Sequence, residues 1–166
     1  MNKKERKNKK LRVGWFSFTC SEDSTIIMTE LLNDYWQEWR KLIDFRYARI
    51  LKSKNILDDL DVAFVEGAIS SETQVKRLKK IREKSKRLVA IGSCAVTGMP
   101  SAQRNQFDKK TREEIQFILN RFAYLPNVLK VSEVVKVDAE VPGCPMDSKI
   151  FLKILNQYFQ EFKIVK

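Results

Sequence analysis

Histidine is absent from the 166 residues of this chain. Its absence removes the commonest metal ligand and the commonest general base, so histidine triads, histidine-bound zinc and imidazole acid–base chemistry are excluded. No apolar run approaches the roughly 18 residues of a membrane-spanning helix, and the run at residues 11–18 is too short for a secretory core. We therefore expect a cytoplasmic protein with no direct membrane insertion.

Glycine and proline are scarce, with five and four residues respectively. No segment rich in them forms a linker, while 43% of the residues are apolar and can build a hydrophobic core. We predict one domain over residues 11–166, preceded by a flexible basic tail at residues 1–10.

The net charge of +11 is unevenly distributed along the chain. Residues 1–10 carry six bases and one acid, net +5, which leaves 11 − 5 = +6 for the remainder. In the segment SETQVKRLKKIREKSK acids alternate with bases, a pattern typical of a solvated helix face. No helix-turn-helix pairing or RNA-stacking motif accompanies the charge, so a nucleic-acid-binding module is kept only as a remote alternative.

Apolar runs and helical periods alternate along the chain. The predicted strands are 11–18, 45–51, 61–67, 88–92 and 135–141. The predicted helices are one of about five turns from Thr25, with Asp23 or Ser24 as N-cap, and others at 70–85, 108–122 and 147–162. Continuous apolar strands alternating with helices predict an α/β fold, a doubly wound, mainly parallel sheet with helices on both faces.

Each of the three cysteines closely follows a predicted strand: Cys20 and Cys94 by two residues, Cys144 by three. An odd number of cysteines argues against a disulfide framework. Ligands of open α/β sheets bind beyond the carboxyl ends of the strands. One cysteine there could be a buried core residue, but three indicate the ligands of a soft metal or an iron–sulfur cluster.

Glycine and proline flank two of these cysteines, in Gly92-Ser93-Cys94 and Pro142-Gly143-Cys144-Pro145. Glycine lets the backbone approach a bulky inorganic group closely, and proline holds a turn rigid. The helix after Cys20 would direct its positive N-terminal end at the same place, which favours an anionic cluster.

Four segments carry a resemblance to a known family: FTCSEDS, FVEGAIS, IGSCAVTGMPSAQRN and VPGCPMD. In this order they resemble the small subunit of nickel–iron hydrogenases and the related 20-kilodalton-type iron–sulfur subunit of respiratory complex I. The most specific parts are G-x-C-A-x-x-G and P-G-C-P. The resemblance implies a flavodoxin-like domain that holds a proximal [4Fe–4S] cluster against a nickel–iron large subunit and relays electrons without catalytic residues of its own.

The resemblance also implies a short, cytoplasmic, one-cluster form, because no second cysteine-rich domain or twin-arginine signal is present. Such small subunits pass electrons to a further electron-carrier subunit. A complex I-like or energy-converting, membrane-associated iron–sulfur subunit is the alternative, against which the missing adjacent Cys-Cys pair argues slightly.

One cysteine of the family pattern is missing. The family usually supplies two cysteines from the first loop, whereas here only Cys20 is present. If Cys20 opens a C-x-x-C pattern, Asp23 occupies the second cysteine position. If Cys20 is the first of an adjacent pair, Ser21 occupies the second position. If the register is shifted by one residue, Ser21 and Ser24 occupy the two cysteine positions and Cys20 substitutes for one of them. Because a carboxylate is already ionised at neutral pH, we favour Asp23 as the fourth ligand. An N-cap role for Asp23, a serine ligand, a [3Fe–4S] cluster or an open iron remain alternatives.

The remaining matched residues lie in loops at the same strand ends. Glu66 is placed beside the cluster. Glu66, Gly67, Gly98 and the SAQRN stretch at residues 101–105, with Arg104 and Asn105, are candidates for the contact with the large subunit. For Glu66 the alternative is an ordinary solvated acid at the end of a strand.

Overall fold

The computed structural model describes residues 9–165 of the chain. The strands are β1 Leu11–Ser17, β2 Ile43–Ala48, β3 Leu60–Glu66, β4 Ile69–Ser71, β5 Ser85–Ile91, β6 Tyr124–Leu129 and β7 Ala139–Val141. The helices are α1 Asp23–Leu42, α2 Glu72–Glu83, α3 Gly92–Thr97, α4 Lys109–Arg121 and α5 Ser148–Glu161. All five predicted strands and all four predicted helices are present, with shifted boundaries.

Five strands form a central sheet in the order β2-β1-β3-β5-β7, and every neighbouring pair is parallel. Counted within this sheet alone, the order is 2-1-3-4-5, that of the flavodoxin-like doubly wound folds. The predicted α/β class is therefore confirmed. Strands β4 and β6 form a separate antiparallel pair.

The side chains of the central strands alternate between two hydrophobic cores. Phe64 of β3 packs on the side covered by α1 and α5, together with Met28 and Phe151. Its neighbour Val65 packs on the opposite side, where Leu78 of α2 lies. Since each core buries one face of the sheet, helices cover both faces, as the continuous apolar strands predicted.

Helix α1 begins differently from the other long helices. Asp108 and Asp147 precede α4 and α5 and accept backbone N–H bonds from the first turns of those helices. The residue before α1 is Glu22, in the left-handed region at φ 64, and its side chain makes no capping bond. The predicted N-cap role of Asp23 or Ser24 is therefore wrong, because both residues lie inside the helix.

Three elements were not predicted from the sequence: α3, β4 and β6. The last strand is also shorter than expected, because only residues 139–141 of the predicted 135–141 pair with β5. Residues 131–133 before it form a short 3-10 turn.

Lys9 and Lys10 are the part of the expected basic tail that the structure describes; residues 1–8 lie outside it. The ammonium of Lys9 donates to the carbonyl of Phe162 at 2.9 Å, and that of Lys10 to the carbonyl of Arg40 at 2.6 Å. Both carbonyls lie at helix C-terminal ends, which carry partial negative charge. These two lysines therefore contact helix ends, and the expectation of a flexible tail at residues 1–10 stays a prediction. Within residues 9–165 no helix has the length and apolar character needed to cross a bilayer.

Candidate metal centre

The three cysteines line one concavity at the carboxyl end of the central sheet. Cys20 follows β1, Cys94 lies in α3 directly after β5, and Cys144 follows β7. All three thiols are free. The lining of the concavity consists of Cys20, Ser21, Asp23, Ser24, Glu66, Ile91, Gly92, Ser93, Cys94, Gly143, Cys144 and Pro145.

The candidate donors are the three thiols and the carboxylate of Asp23. Among the described residues, no three cysteine, aspartate or glutamate side chains stand close enough together to hold one metal ion. In an iron–sulfur cluster the protein ligands bind through thiolates to separate iron atoms, so the thiols need not converge on one point. Three thiols from three loops around one concavity, with a carboxylate beside them, meet that requirement.

Burial differs strongly among the three thiols. Cys94 is buried, Cys20 is half-buried and Cys144 is exposed. Burial, followed by the nearby carboxylate of Glu66, raises the pKa of the Cys20 thiol to about 12. The concavity therefore has a closed side at Cys94 and opens to the surface at Cys144.

Hydrogen bonds from backbone N–H groups connect the loops of Cys94 and Cys144 to each other and to helix α1. The N–H of Ser93 donates to the carbonyl of Gly143 at 2.7 Å, which joins the loops of Cys94 and Cys144. The N–H of Met146 donates to the hydroxyl of Ser24 at 3.2 Å, which joins the Cys144 loop to α1. These two bonds thus hold the loops of Cys94 and Cys144 against each other and against the start of α1.

Two glycines are required by the shape of these loops. Gly92 has φ +79, and a Cβ there would lie 2.9 Å from the hydroxyl of Ser24. Gly143 has φ +110, and a Cβ there would lie 2.5 Å from the carbonyl oxygen of Pro145. Pro142 does not line the concavity; its carbonyl accepts the N–H of Asp147 and closes the turn around Cys144.

Asp23 lies beside Cys144. One of its carboxylate oxygens, Oδ2, is 3.9 Å from Cys144 Sγ, although 121 residues separate the two in sequence. Of the alternative ligands, Ser24 is buried with its hydroxyl accepting from Met146, and Ser21 is exposed. Among these three first-loop candidates, Asp23 is thus the one whose side-chain oxygen contacts a cysteine sulfur.

Glu66 is buried, with 3% of its surface exposed, so its interpretation as a solvated acid is wrong. Its carboxylate accepts from the backbone N–H of Ser24 at 2.9 Å and from the hydroxyl of Thr25 at 2.6 Å. Burial raises the pKa of Glu66, and these hydrogen bonds oppose the rise. Glu66 therefore supplies from β3 the cap that the sequence before α1 does not.

The other expected contact residues have partners within the described chain. Arg104 donates to the carbonyl of Leu125 at 2.7 Å, and the amide of Asn105 bonds both the N–H and the carbonyl of Val128 at 2.8 Å. They hold β6 in place. Gly67 and Gly98 both have positive φ, and Gly98 ends α3.

Ser101 begins the SAQRN stretch, for which a contact with the large subunit was expected, but its contact with a cysteine was not predicted. Its hydroxyl lies 3.2 Å from Cys94 Sγ and 3.1 Å from the carbonyl oxygen of Thr19. A serine in an irregular loop has no periodic signal, and only its position seven residues after Cys94 could have indicated the contact.

A doubly wound parallel sheet whose carboxyl end gathers three thiols and a carboxylate defines a cysteine-lined α/β domain. The chain belongs to the family described as "NADH ubiquinone oxidoreductase, 20 Kd subunit", whose model matches residues 20–158. The family membership that the sequence motifs implied is thereby confirmed.

Similar proteins include hydrogenase subunits. The chain is 31% identical over 119 residues to the NAD-reducing hydrogenase HoxS subunit delta of Cupriavidus necator, covering 62% of this chain and 57% of that protein. It is 26% identical over 149 residues to the sulfhydrogenase 2 subunit delta of Pyrococcus furiosus, covering 87% and 60%. The match therefore spans less than two thirds of the length of these relatives.

Among solved structures, an NAD+-reducing [NiFe]-hydrogenase in the H2-reduced state has the same fold. The TM-score is 0.74 at 22% identity, covering 89% of this chain and 90% of that one. A Ni-Fe-Se hydrogenase from Desulfomicrobium baculatum gives a TM-score of 0.60 at 15% identity, covering 89% and 61%.

Proposed function

We propose that this chain is the small, electron-transfer subunit of a cytoplasmic nickel–iron hydrogenase. In this role it passes electrons between the active site of a large subunit and a further electron-carrier subunit through one iron–sulfur cluster. The observation that carries the proposal is the gathering of Cys20, Cys94 and Cys144 around one concavity in a family whose similar members include hydrogenase subunits. The chain contributes no catalytic residue to the complex.

The cluster would be held by the thiolates of Cys20, Cys94 and Cys144, with Asp23 as the fourth ligand of a [4Fe–4S] group. When bound, such a cluster accepts and returns electrons one at a time. If Asp23 does not bind iron, the three thiolates would hold a [3Fe–4S] cluster. The bond from Ser93 N–H to the carbonyl of Gly143 holds the loops of two of these donors, Cys94 and Cys144, together.

The unequal burial of the thiols supports a relay. Cys94 lies on the closed side, where water is excluded, while Cys144 lies at the protein surface. A cluster in this concavity would therefore have one edge at the surface, where electrons enter or leave the chain. We infer that the large subunit docks over this end of the sheet.

A cytoplasmic setting agrees with the free thiols of all three cysteines, since thiols persist in reducing compartments. We also infer that residues 11–166 act as one iron–sulfur-binding domain, because its three ligand loops come from strands spread across a single sheet.

A complex I-like, membrane-associated subunit is the second candidate, because the matching family is described by that enzyme. The two candidates differ in where the complex sits. Cell fractionation separates them: recovery of the chain with membranes supports the complex I-like subunit, and recovery in the cytosol supports the hydrogenase.

The proposed function is tested by anaerobic purification of the native complex. We expect brown protein with broad visible absorption, bound iron and acid-labile sulfide, and a nickel-containing large subunit. Cys94→Ala should lose the iron, whereas Thr97→Ala, a change on the same helix that leaves the thiols in place, should retain it. Colourless, iron-free wild-type protein purified under these conditions refutes the proposal.

A further inference from the structure

Ser101 lies between two of the cysteine loops. Its Oγ is 3.2 Å from Cys94 Sγ and 3.1 Å from the carbonyl oxygen of Thr19, the residue before Cys20. A hydroxyl carries one hydrogen, so it can donate fully to only one of these two acceptors at a time.

The carbonyl of Thr19 does not depend on that hydrogen. It also accepts the backbone N–H of Ala68 at 2.9 Å, and the N–H of Thr19 donates back to Ala68 at 3.0 Å. If the hydroxyl of Ser101 turns to the sulfur, the carbonyl of Thr19 keeps a partner. The rotation therefore leaves no buried polar group unpaired.

The sulfur of Cys94 is the stronger acceptor once it is a thiolate. Cys94 is 7% exposed, and a hydrogen bond to an ionised acceptor in a water-poor site is roughly twice as strong as a neutral one. The hydrogen of Ser101 should then lie on the sulfur.

The position of Ser101 is fixed by its surroundings. The N–H of the next residue, Ala102, donates to the carbonyl of Gly98 at 2.8 Å, and Ala102 is buried. On the other side, the hydroxyl of Thr19 lies 2.8 Å from that of Ser70. The backbone next to Ser101 and the side chain of Thr19 are thus held by other bonds, which keeps Ser101 Oγ within 3.2 Å of Cys94 Sγ.

We propose that Ser101 is a positioning residue that donates a hydrogen bond to Cys94 Sγ and thereby raises the reduction potential of the cluster. The inference depends on the proposed function, because it requires a cluster bound through Cys94. A hydrogen-bond donor at a ligand sulfur stabilises the reduced cluster more than the oxidised cluster, because the reduced cluster carries one more negative charge. Ser101 itself does not bind iron.

The test is an EPR-monitored redox titration of the anaerobically purified complex, with iron and sulfide measured per chain. Ser101→Ala should keep full iron and sulfide but shift the midpoint potential to a more negative value. Ser101→Thr, which retains the hydroxyl, should have a potential close to that of the wild type. The matched control is Thr97→Ala: its hydroxyl bonds the carbonyl of Ser93 at 2.8 Å and not a sulfur, so its potential should equal that of the wild type.

An unchanged potential in a fully loaded Ser101→Ala complex overturns the inference and leaves the proposed function standing. Wild-type complex without iron and sulfide refutes the proposed function and the inference with it. If the alanine variant loses its cluster, the midpoint potentials of Ser101→Thr and Ser101→Val are compared with each other. These two side chains have nearly the same shape, but only threonine has a hydroxyl. The valine variant should then have the lower potential, and equal potentials overturn the inference.

Discussion

At the residue scale, the proposed cluster depends on Asp23, which we infer to be its fourth ligand. The family pattern offers a cysteine in the first loop that this sequence lacks, and the carboxylate of Asp23 stands 3.9 Å from Cys144 Sγ. An oxygen ligand is harder than sulfur and gives an iron atom a different electronic environment. If Asp23 binds iron as proposed, replacing its side chain should change both the iron count and the spectrum.

We predict that Asp23→Ala yields a cluster with fewer irons, of the [3Fe–4S] type, because one iron has lost its protein ligand. Asp23→Cys should keep four irons and move the spectrum towards that of an all-cysteine cluster. Iron and sulfide analysis with EPR or Mössbauer spectroscopy distinguishes these outcomes. Asp34→Ala, an exposed position on the same helix, serves as the control. A normal four-iron cluster in Asp23→Ala would show that Asp23 is not the ligand.

At the scale of elements, the loops after β5 and β7 depend on glycine conformations. Gly143 has φ +110, and a Cβ added there would lie 2.5 Å from the carbonyl oxygen of Pro145. Gly98 also has a positive φ, +86, but the atom nearest to an added Cβ would be Ala102 Cβ at 3.3 Å. The left-handed conformation alone costs a residue with a Cβ about 1–2 kcal/mol. Substitution at Gly143 adds a backbone clash to that cost.

Gly143→Ala should therefore destabilise the protein more than Gly98→Ala does, by at least about 1 kcal/mol. It should also lower the iron content, since the clash displaces the turn that carries Cys144. Thermal unfolding and iron per chain measure the two effects. Equal stability of the two variants, or full iron in Gly143→Ala, would contradict this account of the turn.

The elements with strong hydrophobic patterns were predictable from the sequence alone. Strand β3 was expected at 61–67 and spans Leu60–Glu66; helix α5 was expected at 147–162 and spans Ser148–Glu161. Their patterns are strong because β3 is buried along its whole length and α5 buries one continuous stripe. The meeting of three cysteines followed from the same patterns, since topology alone brings strand ends together.

The missed elements depend on distant partners. Strand β6 is largely exposed and is held by the side chains of Arg104 and Asn105 from an earlier loop. The cap of α1 comes from Glu66, 42 residues after the backbone N–H that it binds. Such contacts leave no local periodicity, so neither they nor the contact of Ser101 could be derived from the chain alone.

At the scale of the whole molecule, the two ends of the central sheet carry different groups of side chains. The carboxyl end gathers the cysteines, and the amino end carries an ion-pair network around Asp61, which is 1% exposed. Arg12 of β1 donates to Asp61 from its backbone and its guanidinium, and Lys86 of β5 donates to it at 2.8 Å. The network thus joins three adjacent strands at the end away from the metal centre.

Burial alone would raise the pKa of Asp61, but the hydrogen bonds from Arg12 and Lys86 and the charge of Arg12 outweigh it and lower the pKa to about 2. A folded-state pKa below the unfolded value of about 3.9 means that the carboxylate stabilises the fold above that pH and stops doing so as the pH falls towards 2. The corresponding contribution to the free energy of unfolding is roughly 2 kcal/mol at neutral pH.

Asp61→Asn should therefore lower the free energy of unfolding at pH 7 and lose part of the decline that the wild type shows between about pH 4 and pH 2. Because Asp61 lies at the opposite end of the sheet, the iron content and midpoint potential of the folded complex should stay at wild-type values. Denaturant unfolding at several pH values and a redox titration measure the two properties. A shifted potential in Asp61→Asn would show that the two ends are coupled, and an unchanged acid profile would show that the ion pairs do not stabilise the fold.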